Sequence, residues 1–446
     1  MKILMSAFSC GPGQGSEPGV GWNWAIETAR LGHAVTVVTS TEFEPLIRDE
    51  IASGRLPRNL RFVFIMPGWL KRLRDLGLRT RFKSATWFFT NLTWQILLPS
   101  QVRTRFPALP FDLVHHVTFA TIRHTTCLGR LGLPLVLGPL GGGEASPVRL
   151  RRGLGTLAWL AEGVRSLHTR ATRFDPISRR AFADASLIIT GTAETKAVLP
   201  QQHWPKTICL LNSGIEPQER GKLLVREDKE PLRLIFVARL LAWKGLHLGL
   251  DALAAARRAG ADVRLTVVGD GPELKRVRER ATRLGLDAAI DWRGRLPRDE
   301  LLTIYDGHHA LIIPSLHDSG GMAVLEGLSR GLPVICLALG GPAVSVNDIC
   351  GRAVSAKGSQ AEVVARLRDA ILEIDGSEAL RLRLGEAALA RADALTWSKI
   401  VATAYRSVAA KVGPDGRPAA GARSAPVELR AADRAPLRVA PDRLRT

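Results

Sequence analysis

Asp318 and Glu326 stand eight residues apart in PSLHDSGGMAVLEGLSRGLP, residues 314–333, with Gly320, Gly321 and Met322 between them. An apolar run, 310–313, precedes this stretch. Helical spacing then begins at Met322, Leu325 and Leu328, closes at Gly331, and gives way to a second apolar run, 334–339. The local order is therefore strand, loop, helix, strand. That order predicts the amides of Gly320, Gly321 and Met322 unpaired at a helix N-terminus, where partial positive charge favours an anion or a ring of sugar hydroxyls. The two flanking carboxylates are candidate ligand groups.

Further residues suited to chemistry lie in the first half. The apolar run Lys2–Phe8 ends in CGPGQGSEPGVGW, and Gly13, Gly15 and Gly19 give G-x-G-x-x-x-G. A glycine-rich turn after a first strand lets backbone amides approach a phosphate. It is not the dinucleotide fingerprint, because Thr39 and Ser40, not an acid, end the second strand. A second cluster, GPLGGGEASP at 138–147, brings Glu144 to the same neighbourhood as His115 and His116. His116 is a candidate acid–base group, although a strand histidine is commonly a satisfied core residue. The five cysteines lack C-x-x-C spacing and read as reduced core residues.

The elements that must hold these groups alternate β and α through 446 residues, too many for one core. Residues 1–215 form a first domain, 216–231 a charged linker, 232–395 a second domain that restarts the same alternation, 396–412 a last helix, and 413–446 a Pro-, Ala- and Arg-rich tail expected to be disordered. The alternation implies two doubly wound Rossmann-like α/β domains facing each other across a cleft. No long apolar span and no leader is read, so a cytoplasmic location is expected. The net charge is +20, and the tail supplies seven arginines against four acids. Most of the excess therefore belongs to the folded body and suits an acidic partner. No zinc-finger spacing, ribonucleoprotein signature or basic-region heptad occurs, so nucleic acid is not expected. Residues 69–106 interleave Lys71, Arg72, Arg79 and Arg81 with Trp69, Phe82, Trp87, Phe88, Phe89 and Trp94. That mixture suits an anionic membrane surface, and equally a helix pair with its aromatics inward.

With both halves laid out, the chain resembles glycosyltransferase family 4, retaining nucleotide-sugar transferases of the GT-B fold. The resemblance rests on GSEPGVGW, GPLGGGE, LLNSGIEP, VARLLAWKG, VVGDGPE, WRGRLPRDEL and residues 314–334, in that order. It implies that the last helix crosses back onto the first domain. It also implies that Arg239 and Lys244 hold the donor diphosphate, where fixed cations stabilise the charge of the leaving group. Glu326 would accept hydrogen bonds from the ribose hydroxyls and Asp318 would face the transferred sugar. Gly320, Gly321 and Met322 would give amides to sugar and phosphate oxygens, Gly15 would bring first-domain backbone to the phosphates, and Gly294, Arg295 and Leu296 would line the base. Aspartate at 318 departs from the family's glutamate, and GPLGGG replaces the segment that often carries a catalytic histidine, leaving His116, Glu144 or no side chain in that role. Without an Asp-x-Asp motif, neither metal nor cofactor is expected. The implied activity moves a hexose from a UDP- or GDP-sugar to a glycan acceptor, lipid-linked and at the inner membrane face, in cell-surface or exopolysaccharide synthesis. A sugar-nucleotide epimerase and a binding protein without turnover are the alternatives.

Overall fold

The computed structural model describes residues 1–77, 83–123, 125–216, 221–227 and 230–412. The tail 413–446, part of the linker, and Arg79, Arg81 and Phe82 lie outside the described residues.

Among the described residues, thirteen strands fall into two all-parallel sheets. The first contains β1 (Lys2–Ala7), β2 (Ala34–Thr39), β3 (Leu60–Phe64), β4 (Leu113–Thr118), β5 (Leu135–Leu140), β6 (Ala185–Thr190) and β7 (Thr207–Cys209), in the order β3-β2-β1-β4-β5-β6-β7. The second contains β8 (Leu232–Val237), β9 (Val263–Val268), β10 (Ile290–Gly294), β11 (Ala310–Ile313), β12 (Val334–Leu337) and β13 (Gly351–Val354), in the order β10-β9-β8-β11-β12-β13. Central strands such as LVHHVT and ALII are buried along their whole length, as required of parallel strands covered by helices on both faces.

Both sheets reverse their strand order once, between β1 and β4 and between β8 and β11. In doubly wound sheets the ligand crevice opens at the carboxyl ends of the strands flanking that reversal. The segments that follow β1, β8 and β11 are the glycine-rich turn, Arg239–Lys244, and Pro314–Gly321. Topology alone thus gathers most of the candidate residues.

The last helix, Trp397–Val412, leaves the second domain and packs on the first, against helix Ser16–Arg30 and β6. Its Tyr405 hydroxyl lies 2.8 Å from His115 Nδ1, while His115 Nε2 lies 2.8 Å from the Gly138 carbonyl. A carbonyl only accepts, so Nε2 carries the proton and Tyr405 donates to Nδ1. His115 is therefore a satisfied, neutral core group, its pKa pushed by burial down to about 4.

The aromatics of residues 69–106 are part buried and part exposed. Trp94 is buried, donating from Nε1 to the Ile65 carbonyl at 2.6 Å, and Trp87 packs 4.0 Å from Phe119. Trp69, Phe88 and Phe89 are exposed. Among the described residues no helix is long and apolar enough to cross a membrane.

Candidate functional site

The loop after β8 and the loop after β11 are stitched together. Leu316 donates its amide to the Trp243 carbonyl at 2.7 Å. Gly245, at φ +72°, passes so close to Pro314 that a Cβ there would sit 1.9 Å from its carbonyl oxygen. This close approach delivers Lys244 Nζ to Asp318, with which it forms an ion pair. Asp318 Oδ1 also accepts the amides of Gly320 at 3.2 Å and Gly321 at 3.1 Å. Burial alone would raise the Asp318 pKa, but Lys244 and the two amides outweigh it and hold the carboxyl below its ordinary value.

That geometry corrects one expectation. The Gly320 and Gly321 amides are not unpaired, because Asp318 folds back across the N-terminus of helix Met322–Ser329 and occupies both. A side chain of aspartate length can accept in this way from amides two and three residues further along the chain. Glu326, farther along the helix, is buried and accepts from the Tyr305 hydroxyl at 3.1 Å.

Most of the remaining candidate residues line two cavities. Arg239, Arg295 and Leu296 share one of about 630 Å3 with Gly269 and Gly271, and Gly294 does not line it but accepts the Gly269 amide at 2.7 Å. Arg239 is exposed and, among the described residues, has no carboxylate partner. Gly15, the N-cap of helix Ser16–Arg30, lines a second cavity of about 620 Å3 with Met322 opposite. First-domain backbone therefore does face the helix that carries Glu326.

His116 does not reach the cleft. It is fully buried on β4, and burial together with His115 lowers its pKa to about 3. As a catalytic candidate it is set aside on that placement. Glu144 is also buried and fully engaged: Thr192 at 2.7 Å and Thr195 at 2.8 Å donate to one oxygen, Ser319 at 2.6 Å and the Gly142 amide at 2.9 Å to the other. It clasps the domains together. The bare backbone of GPLGGG is there to admit Ser319, since a Cβ on Gly141 would lie 2.6 Å from the Ser319 Cβ. A second clasp joins His317 Nε2 to Glu162 Oε1 at 2.9 Å, with the His317 ring stacked on Trp243. For Glu162 burial acts upward, but His317, Ser146 and Arg165 together bring its pKa down to about 2.

Sequence reasoning missed Glu17. It sits in the first turn of helix Ser16–Arg30, accepts the Ala120 amide at 3.1 Å, and is pushed by burial up to about 7. Its signal was present: Glu17 is the acid of the glycine-rich turn.

Comparison with known proteins bears on the fold and on the second domain. Solved structures share the whole two-domain arrangement: WaaG, a glycosyltransferase involved in lipopolysaccharide biosynthesis, at TM-score 0.52 and 16% identity over 90% of this chain and 98% of that one, and Anabaena Alr3699/HepE in complex with UDP, at TM-score 0.56 and 17% identity over 92% and 100%. The fold is GT-B, two Rossmann-like α/β domains. Residues 218–391, the second domain, match the family model of glycosyl transferases group 1. The 2-deoxystreptamine glucosyltransferase of Streptomyces kanamyceticus is 30% identical over 155 residues, 35% of this chain and 40% of that one. The chain thus matches less than half the length of that curated relative.

Proposed function

We propose that this protein is a retaining glycosyltransferase of family 4 that moves a hexose from a UDP- or GDP-sugar to a glycan acceptor, lipid-linked, in cell-surface or exopolysaccharide synthesis, without a metal ion. The observation that carries the proposal is the cluster of Lys244, Asp318 and the N-terminus of helix Met322–Ser329, between the Arg239 cavity and buried Glu326. It lies in the domain that matches the transferase family and opposite Gly15 of the other domain.

In this reading Gly294, Arg295 and Leu296 take the base and Glu326 accepts from the ribose hydroxyls, a carboxylate being an acceptor only. Arg239 and Lys244 hold the diphosphate, while Asp318, released from the glycine amides, turns to the sugar. The Gly320, Gly321 and Met322 amides then meet sugar and phosphate oxygens. The acceptor oxygen bonds to the anomeric carbon on the face from which the diphosphate oxygen departs, and the acceptor proton passes to that oxygen. Fixed cations in a water-poor cleft stabilise the departing charge. A peripheral position on the inner membrane face, with residues 69–106 toward anionic lipid, completes the proposal.

The test is a thermal-shift panel with UDP, GDP, ADP and their sugars, followed by transfer assays and anomeric analysis of the product. One uridine or guanosine series should raise the Tm, because a ligand bound only by the native state stabilises it. Retained configuration in the product is expected, and an inverted product overturns the mechanism. The engagement of both glycine amides and Lys244 by Asp318 favours one second reading, a sugar-nucleotide-binding protein without turnover. Donor binding with neither hydrolysis nor transfer would select it, and epimerised donor in the absence of acceptor would select an epimerase.

A further inference from the structure

Helix Thr156–Ala171 wears its faces in reverse. Its buried residues are Glu162 and Thr169. Glu162 meets Ser146 and His317, and Thr169 Oγ1 donates to the Gly142 carbonyl. Leu157, Leu160, Val164 and Leu167, spaced three, four and three residues apart on one stripe, are 82%, 54%, 69% and 69% exposed. Apolar side chains scattered singly on a surface need no explanation, but a contiguous stripe does. The stripe continues sideways, because the Phe88 ring lies 6.5 Å from that of His168 with Phe89 exposed beside it. It continues past the helix end at Phe174, exposed and covered on one side by the Arg173 guanidinium.

Charge selects the occupant. Arg170, Arg173 and Arg179 are exposed on and just beyond the helix, and among the described residues none is paired with a carboxylate. A second copy of the chain would bring the same cations against these. The chain's own residues 413–446, with seven arginines and four acids, are repelled likewise. A bilayer rich in anionic headgroups satisfies both features, taking up the apolar side chains and neutralising the guanidinium ring.

We propose that helix Thr156–Ala171, extended by Phe88 and Phe89, is the face that lies in the interface of an anionic bilayer. The inference deepens the lipid-acceptor reading and rests on it for its purpose. The inner side of the same helix holds Glu162 against His317 of the donor loop, so the membrane plane stands about one helix diameter, ~10 Å, from the cleft. A lipid-linked acceptor could then reach the donor without leaving the bilayer.

The test measures co-sedimentation of the full chain with vesicles of phosphatidylcholine alone and with one-third phosphatidylglycerol, without donor or acceptor. The wild type should bind the mixed vesicles and not the neutral ones. L157S/L167S should lower partitioning at least about tenfold, as loss of two inserted side chains requires, and R170E/R173E should lower it about tenfold or more. All four positions are exposed, so an unchanged Tm certifies the fold. Failure of the wild type to bind, or binding by either variant as tight as the wild type's, overturns the proposal. So does loss of binding on W69S/L76S, on the exposed side of helix Gly68–Gly77, with none on L157S/L167S, which would move docking to that helix, or a lipid-free dimer that L157S/L167S dissociates. Transfer to a water-soluble acceptor analogue should be unchanged in all these variants. Vesicle binding without any transfer would refute the enzymatic reading and leave the docking face standing.

Discussion

Arg239 and Lys244 share one loop but stand in opposite circumstances. Arg239 is exposed and has no carboxylate partner among the described residues, so Arg239→Ala should leave the Tm unchanged while slowing transfer on the order of a hundredfold, about 3 kcal/mol. Lys244 neutralises Asp318, so Lys244→Ala should also destabilise the fold, by about 2 kcal/mol, by stranding a largely buried carboxylate. Lys244→Ala/Asp318→Asn should recover the stability and not the transfer; urea titration beside a transfer assay reads both. Glu17 supplies a pH test. Its pKa rises from 4.5 to about 7 on folding, so between those values the unfolded chain has already lost a proton that the native state keeps. Stability contributed at pH 4 is therefore lost as pH rises toward 7. Glu17→Gln removes the dependence: its advantage over wild type should grow from near zero at pH 4 to about 1–3 kcal/mol above pH 7, discounted for partial exposure. A constant difference across that range would show that Glu17 titrates normally.

At the scale of elements, the contact between GPLGGG and the loop after β11 decides how closely the two sheets approach. Gly141→Ala should push Ser319 away, break its bond to Glu144, and expose the loop to limited proteolysis. Ser319→Gly alone, which removes the same hydroxyl without adding a methyl group, should expose the loop likewise. A Gly141→Ala protein as resistant as wild type would show that the clasp does not hold the domains. These pairings explain what was legible beforehand. Apolar runs bounded by glycine placed β1, β2, β9 and β11, and the order of motifs gathered Arg239, Lys244 and Asp318 at the strand ends. β13, with Arg352 in a four-residue strand, carries too little pattern to be seen. The stretch 149–172 reads as basic and helical, but which face of helix Thr156–Ala171 turns inward is not legible, because that depends on Ser146 and His317. The Ser319–Glu144 bond spans 175 residues and leaves no local trace. His116 looked reactive by type, and only its depth within the sheet shows otherwise.

On the scale of the whole molecule, the last helix ties two domains into one cooperative body. Tyr405→Phe removes the donor to His115 Nδ1 in a closed core, and should cost about 1–2 kcal/mol of stability with the donor affinity unchanged; a loss of affinity instead would mean that the helix sets the cleft geometry. The chain crosses between domains twice, outward after Ile215 and back before Trp397. The two crossings lie side by side: Ile215 donates to the Leu395 carbonyl at 3.1 Å and accepts from the Trp397 amide at 3.3 Å. Two covalent tethers bonded together at one point act as a pivot. Rotation about it strains neither tether, whereas sliding the domains apart would stretch both. The Ser319–Glu144 and His317–Glu162 clasps then work as latches on a door with a single pin, and their release is the step that would open the cleft for donor entry and product exit.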